Sequence, residues 1–285
     1  MSPLRKQMQD DLVVRGMSPR TLESYTGAVA ALAKYYGRSP ERISAQEVQR
    51  YLLHLIQEKR LAWSSCNIAL SGLKFFYRVT LKRTQAQFEL PTPRQPQKLP
   101  QILAPEEVVR IIESADNPKH RAILMTTYAA GLRLSEVANL KVSNIDSIRM
   151  TIHVEQGKGV QDRYTPLSPR LLTELRRYWC IYHPKQWLFP GTRKPDLPIL
   201  PHTVQRLFHR AKAHAGITKD CGIHGLRHAF ATHLLEAGVD VPTIQHVMGH
   251  GHISSTLRYF HLARKHLGAA RSPLDLLPRP EPMRR

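Results

Sequence analysis

The sequence predicts a mainly α-helical chain of two domains, with one small β-hairpin in the second. Three observations carry this reading. Apolar residues recur at helical spacing through the first 90 residues, a proline-rich break follows, and a stretch of strict alternation beyond it leads into a Gly-Lys-Gly turn. A chain of 285 residues is long for one ordinary domain and comfortable for two.

The first domain is expected over residues 1–90. Ser18 is placed to cap a helix with Pro19 in its first turn, and Leu22, Tyr25, Val29, Leu32 and Tyr36 then recur on one face. Ser44 and Glu47 have capping-box spacing ahead of a second stripe, Val48, Tyr51, Leu52, Leu55 and Ile56. A third helix is expected to begin near Ser64 and to run through Ile68, Leu73 and Phe76. Together the stripes suit a small helical bundle.

Residues 91–103 read as a linker. From Leu90 to Pro100 there are four prolines, each of which fixes φ and removes a backbone donor. The second domain is expected over 104–268. It opens with a helix from Ala104 to Ala115, with Glu106 and Glu107 at its positive end. An apolar helix follows from about Arg121 to Ala130, stopped by Gly131. Met150, Ile152 and Val154 alternate with polar residues as a strand does. Gly157-Lys158-Gly159 makes the turn and Tyr164 to Leu167 the return strand. Ser168-Pro169 starts another helix, most of the remainder is helical, and Gly216, Gly238 and Gly249 fall where helices should stop. Residues 269–285 form a proline-rich tail with one apolar patch, Leu274 to Leu277.

Charge narrows the function. Lys and Arg number 42 against 22 Asp and Glu, a formal net charge of +20. The excess is spread along the chain: +7 over 1–90, +2 over 91–103, +9 over 104–268 and +2 over 269–285. A chain basic throughout its folded parts suits a polyanion held along an extended surface. Anionic membranes and acidic proteins are the bland alternatives. Three widely spaced cysteines, Cys66, Cys180 and Cys221, imply no disulfide framework. The polar start lacks a signal-peptide core, and no apolar run approaches the length of a membrane span. The expectation is a soluble, cytoplasmic, nucleoid-associated protein with no membrane partner.

Four separated segments hold the chemically informative residues. His224 and Arg227 stand at i and i+3, with His228 beside His224 at i+4. An Arg flanked by two His, with no carboxylate near in sequence, suits a phosphate. A solvated basic helix face is the commoner meaning of that triplet alone. Arg133 follows Gly131 at the head of a new helix, where an anion is favoured, although an ion pair with Glu136 is the simpler explanation. Lys158 on its hairpin tip would ordinarily serve solubility. Tyr259, nine residues after Gly249-His250, would ordinarily be a half-buried helix residue. Its phenol, with an unperturbed pKa of about 10, needs cationic neighbours and a proton acceptor to act as a nucleophile. The Cys221-x-x-His224 pair has no matching second pair, so no metal site is expected.

Taken together, these segments resemble the tyrosine recombinase, or phage integrase, family, and its Xer-like members in particular. The family's pattern is G-L-R-x-x-E, a hairpin Lys, H-x-L-R-H, L-G-H, and a Tyr nine residues on. This sequence supplies Gly131-Leu132-Arg133 with Glu136, then Lys158, His224-x-Leu226-Arg227-His228, Gly249-His250 and Tyr259. One such element is weak; six in order are specific. Met248 replaces the usual Leu, a volume-conserving change, and Gly251-His252 stands where a Ser and an acidic residue are common.

The resemblance implies a SAM-like helical core-binding domain on DNA and an α+β catalytic domain. It implies site-specific recombination of double-stranded DNA, with Tyr259 forming a 3′-phosphotyrosyl bond and releasing a 5′-hydroxyl. Arg133 and Arg227 would stabilise the phosphate's developing charge, and His250 would donate a further hydrogen bond. His224 would assist proton transfer at Tyr259, and Lys158 would protonate the departing oxygen. Glu136 and His228 would be secondary, orienting or buttressing the pocket. No metal, other cofactor or ATP is required. The expected assembly is a homotetramer on two duplexes, or one shared with a partner recombinase, with the tail docking on a neighbouring subunit or on its own domain. The resemblance fits a phage, a transposon, an integron-like element or a chromosomal resolution system as the biological setting. The rival readings are type IB topoisomerase-like relaxation and a non-catalytic DNA-binding accessory protein.

Overall fold

The structure is a computed structural model that describes residues 2–83, 88–89, 101–155 and 162–249. The proline-rich stretch 90–100, the Gly157-Lys158-Gly159 turn, His250, Tyr259 and the tail 269–285 lie outside the described residues. The chain divides into two compact units, Met1–Pro96 and Gln97–Arg285. Among the described residues, no helix is long and apolar enough to cross a membrane.

Among the described residues, the first unit is a bundle of four α-helices, α1 (Pro3–Val14), α2 (Pro19–Tyr36), α3 (Ala45–Gln57) and α4 (Trp63–Phe75). Ser18 caps α2 by accepting from the Thr21 backbone N–H, and Pro19 occupies the first turn. Ser44 and Glu47 form a reciprocal capping box on α3. The apolar stripes meet as predicted: Val29 and Leu32 of α2 pack with Val48, Leu52 and Leu55 of α3 and with Leu70 and Leu73 of α4. Burying a Leu or Val side chain stabilises by roughly 1.5–3 kcal/mol, so these contacts hold the bundle together.

Two details differ from the sequence reading. α1 belongs to the bundle, burying Met8 and Leu12 with Leu4 packed against the same core; Leu4, Met8 and Leu12 recur at helical spacing, but charged residues between them and the adjoining Val13 and Val14 obscure the stripe. Ile68 points outward, 49% exposed, while Cys66, Leu70 and Leu73 form the buried face of α4. Beyond α4 the helix loosens into a π turn over Phe76–Thr80. There the buried Tyr77 donates its hydroxyl hydrogen to the Pro40 carbonyl at 2.7 Å.

The second unit is helical around a small antiparallel sheet. Its helices are α5 (Pro105–Glu113), α6 (Pro118–Ala129), the short α7 (Leu134–Ala138), α8 (Pro169–Tyr182), α9 (Pro201–His214), α10 (His224–Glu236) and α11 (Val241–Met248). The strands β1 (Ile145–Asp146), β2 (Thr151–Val154) and β3 (Arg163–Pro166) are ordered β1-β2-β3. Met150 is not a strand residue: its φ of 53° turns the chain into β2. In register, Ile152 opposes Thr165, His153 opposes Tyr164 and Val154 opposes Arg163. Ile152, Val154, Thr165 and Arg163 therefore share the inner face. On the outer face the His153 and Tyr164 rings stack with centroids 5.0 Å apart. The core gathers Ile111, Ile123, Leu124, Leu132, Ile152, Leu171, Phe208 and Leu226 from every layer.

Candidate active site

The site is assembled where α7, β3, α10 and the end of α11 converge. Gly131 makes this possible. It takes φ +58°, and a Cβ there would stand 2.4 Å from the Phe230 ring. Glycine thus serves both the left-handed turn out of α6 and the close approach of α10. Two residues later Arg133 is the N-cap of α7, in extended conformation.

Glu136 is the hub. Its side chain is 7% exposed, accepts hydrogen bonds from two arginines and has a third arginine close by. Arg133 donates Nη1–H to Oε1 at 2.7 Å and its backbone N–H to Oε2 at 2.7 Å. Arg163 donates through Nη1 and Nη2 to the two carboxylate oxygens, at 2.9 and 2.8 Å. Arg227 Nη1 stands 3.7 Å from Oε2. Burial alone would raise the Glu136 pKa, but the forked bonds and charge of Arg163, with those of Arg133, outweigh it and bring it down to about 2. Glu136 is therefore an anion at any working pH, outnumbered by three guanidinium groups.

The arginines differ in access. Arg163 and Arg227 are buried, at 3% and 5% side-chain exposure, whereas Arg133 is 34% exposed. Arg227 donates to the Gly131 carbonyl and, at 2.6 Å, to the Met248 carbonyl, which fixes its plane. Arg133 Nη2 donates to the Gly249 carbonyl at 2.9 Å.

His224 begins α10, one turn before Arg227. The residue is exposed, yet partial desolvation, and after it the charges of Arg227 and Arg133, lowers its pKa below the usual 6.5 against the opposing pull of Glu136. At neutral pH this imidazole is uncharged and able to accept a proton. His228, in the next turn, is half-buried.

Of the residues singled out from the sequence, the structure thus brings Arg133, Glu136, His224 and Arg227 together in one cluster with an excess of positive charge. Lys158 and His250 lie outside the described residues; in sequence Lys158 falls between β2 and β3, and His250 follows Gly249, the C-cap of α11, whose φ is 61°. The ion pair that explains Arg133 most simply does exist, as part of a larger cluster. Sequence reasoning missed Arg163. Strand parity was the available signal, since Arg163, Thr165 and Leu167 alternate on one face and Leu167 is apolar.

Residues 101–266 match the phage integrase family, and residues 4–87 match the phage integrase N-terminal SAM-like domain. The chain belongs to the phage integrase family. Among the relatives of this integrase-family chain, protein y4qK of Sinorhizobium fredii is 46% identical over 99% of this chain and 92% of its own length. The tyrosine recombinase XerA of Pyrococcus horikoshii is 33% identical over 94% of this chain and 92% of its own. The crystal structure of XerA recombinase superposes with a TM-score of 0.56 at 27% identity, over 93% of this chain and 95% of that one. A lambda integrase tetramer bound to a Holliday junction shares the fold, with a TM-score of 0.71 at 21% identity over 90% and 76% of the two chains. The expected fold, a SAM-like helical domain followed by a mainly α catalytic domain with a small sheet, is the observed one. As an Xer-like tyrosine recombinase, the integrase-family chain is an enzyme of site-specific recombination by strand cleavage and rejoining.

Proposed function

We propose that this recombinase binds double-stranded DNA as a tetramer on two duplexes and exchanges strands through a 3′-phosphotyrosyl bond to Tyr259. The observation that carries the reading is the cluster in which Arg133, Arg227 and an uncharged His224 gather around one buried carboxylate. A scissile phosphate would add the anion that this excess of positive charge favours. In the transition state its non-bridging oxygens gain charge, and donors fixed beforehand stabilise that charge without reorganising. Arg133, the most open of the three guanidiniums, is the group a phosphate would meet first.

The remaining steps fall to residues named from the sequence pattern. Tyr259 Oη attacks phosphorus, its proton passing to His224. The P–O5′ bond breaks as Lys158 gives a proton to the departing 5′-oxygen. His250 donates a hydrogen bond to the phosphate, while Glu136 holds Arg133 in place and His228 buttresses the wall. Attack on the phosphotyrosine by the 5′-hydroxyl of the other duplex then reverses the chemistry, so the bond energy is retained and neither ATP nor a metal is called on. Residues 1–90 would hold DNA and 104–268 would cut it, joined by the linker 91–103, with the tail 269–285 engaging a neighbouring subunit. The protein would work in the cytoplasm on the nucleoid.

This reading is tested on two plasmids carrying the DNA that flanks the gene. Strand exchange confined to that sequence supports it. Relaxation of any supercoiled plasmid without exchange would show a type IB topoisomerase-like enzyme instead, and binding without cleavage an accessory protein.

A further inference from the structure

Three successive carbonyls at the end of α11 are each held by a different arginine. Arg163 Nε donates to the Val247 carbonyl at 2.8 Å, Arg227 Nη2 to Met248 at 2.6 Å and Arg133 Nη2 to Gly249 at 2.9 Å. The last carbonyls of a helix lack intrahelical partners and carry the negative end of its dipole, so cations are favoured there. Here the cations come from a strand, a distant helix and a helix N-cap, and Glu136 ties the same three guanidiniums together from the other side.

Arg133 and Arg227 belong to the phosphate-binding set, but Arg163 does not. It is buried, and its contacts are the forked pair with Glu136 and the bond to Val247. We propose that Arg163 is a positioning residue, which fixes the end of α11 against the arginine–glutamate cluster and thereby sets the point from which His250 reaches the phosphate. The inference rests on the role given to His250 above.

The physical case is geometric. A planar guanidinium can give Nη1 and Nη2 to a carboxylate and Nε to a carbonyl at once; a lysine ammonium has no such fixed fork. With Arg163 in place, the Val247 carbonyl is tied to the carboxylate that also orients Arg133. Without it, α11 keeps its two other arginine contacts, but its terminal turn gains a degree of freedom. Misplacing a transition-state donor by about 1 Å costs on the order of 100-fold in rate.

The experiment is a double-mutant cycle on single-turnover cleavage of a nicked suicide duplex, using the full chain. Arg163→Lys keeps the charge and is the primary variant; Arg163→Gln is the second. Each is expected to lower the cleavage rate on the order of 100-fold with little change in DNA affinity. In a His250→Ala background the same substitutions should cost clearly less than in the wild-type chain, because the group they position is gone and only the loosened hold of Glu136 on Arg133 is left. Wild-type cleavage by either Arg163 variant would overturn the proposal. So would a full, additive loss in the His250→Ala background, which leaves the role of His250 intact. If His250→Ala alone cleaves at the wild-type rate, the reading of His250 falls and this inference with it. A measurement on the unmutated chain stands beside the cycle: the Arg163 Nε–H resonance should stay protected from solvent exchange on the bound duplex, and fast exchange would overturn the proposal.

Discussion

Replacing Glu136 by Gln keeps the shape of the hub and removes its charge. The carboxylate lies at 7% exposure, paired with Arg163 and Arg133, with Arg227 close by. Its pKa falls from 4.5 to about 2, and each unit is worth about 1.4 kcal/mol, so the ionised form stabilises the native site by about 3 kcal/mol. A Gln amide also places N–H donors where one oxygen now accepts from Arg163 and from the Arg133 backbone. Removing one partner of a buried ion pair costs about 3–5 kcal/mol, which agrees. For a unit of this size, that lowers the melting temperature by roughly 6–12 °C. The pH dependence has a definite sign. Because the folded pKa is depressed, the stabilisation is fully present above about 4.5 and is lost as pH falls toward 2. Thermal and urea unfolding of wild type and Glu136→Gln at several pH values would show a large gap at pH 7 that narrows with acid. A variant within about 0.5 kcal/mol of wild type at pH 7 would refute the reasoning. So would a gap that stays constant as the carboxylate protonates.

The other predictions concern chemistry. In the pH profile of kcat/KM for cleavage, which reports the DNA-free chain, the acid limb should lie below pH 6.5, because desolvation, Arg227 and Arg133 all lower the His224 pKa. A limb at or above 6.5 would remove His224 as proton acceptor. Glu136 pulls that pKa upward, so in Glu136→Gln the limb should move further into acid; a shift the other way would contradict the assigned electrostatics. Lys158→Ala should slow cleavage by roughly 100- to 10,000-fold, the usual worth of a general acid, and a 5′-thio leaving group that needs no protonation should restore the rate. If the thio substrate is cleaved no faster by the variant, Lys158 does not protonate the leaving group.

Much of the fold was legible in the sequence because the bundle is built from repeating signals. Ser18-Pro19 and Ser44 with Glu47 mark helix starts that the structure caps as expected. Val29, Leu32, Val48, Leu52 and Leu55 mark the faces that meet. Signals that are sparse or double-edged failed. In helix α1 the stripe of Leu4, Met8 and Leu12 is interrupted by charged residues and followed by the exposed Val13 and Val14, and Ile68 is apolar but faces solvent. For the site, Arg133, Glu136, His224 and Arg227 were legible through motif spacing. Arg163 was not, because a charged residue on a short strand reads as solvated until the sheet's inner face is known. Its partner, Glu136, lies 27 residues away, and helical spacing within α7 points that carboxylate to Arg133 alone. The three-arginine grip on α11 is tertiary and has no one-dimensional trace.

The central claim is that this arginine–histidine cluster serves Tyr259. The most direct measurement is covalent capture on a nicked suicide duplex containing the recombination site, read on a denaturing gel. The wild-type chain should form a 3′-linked protein–DNA adduct. Tyr259→Phe should form none while binding the duplex with nearly unchanged affinity. An equal adduct yield from Tyr259→Phe would contradict the account, because another residue would then be the nucleophile.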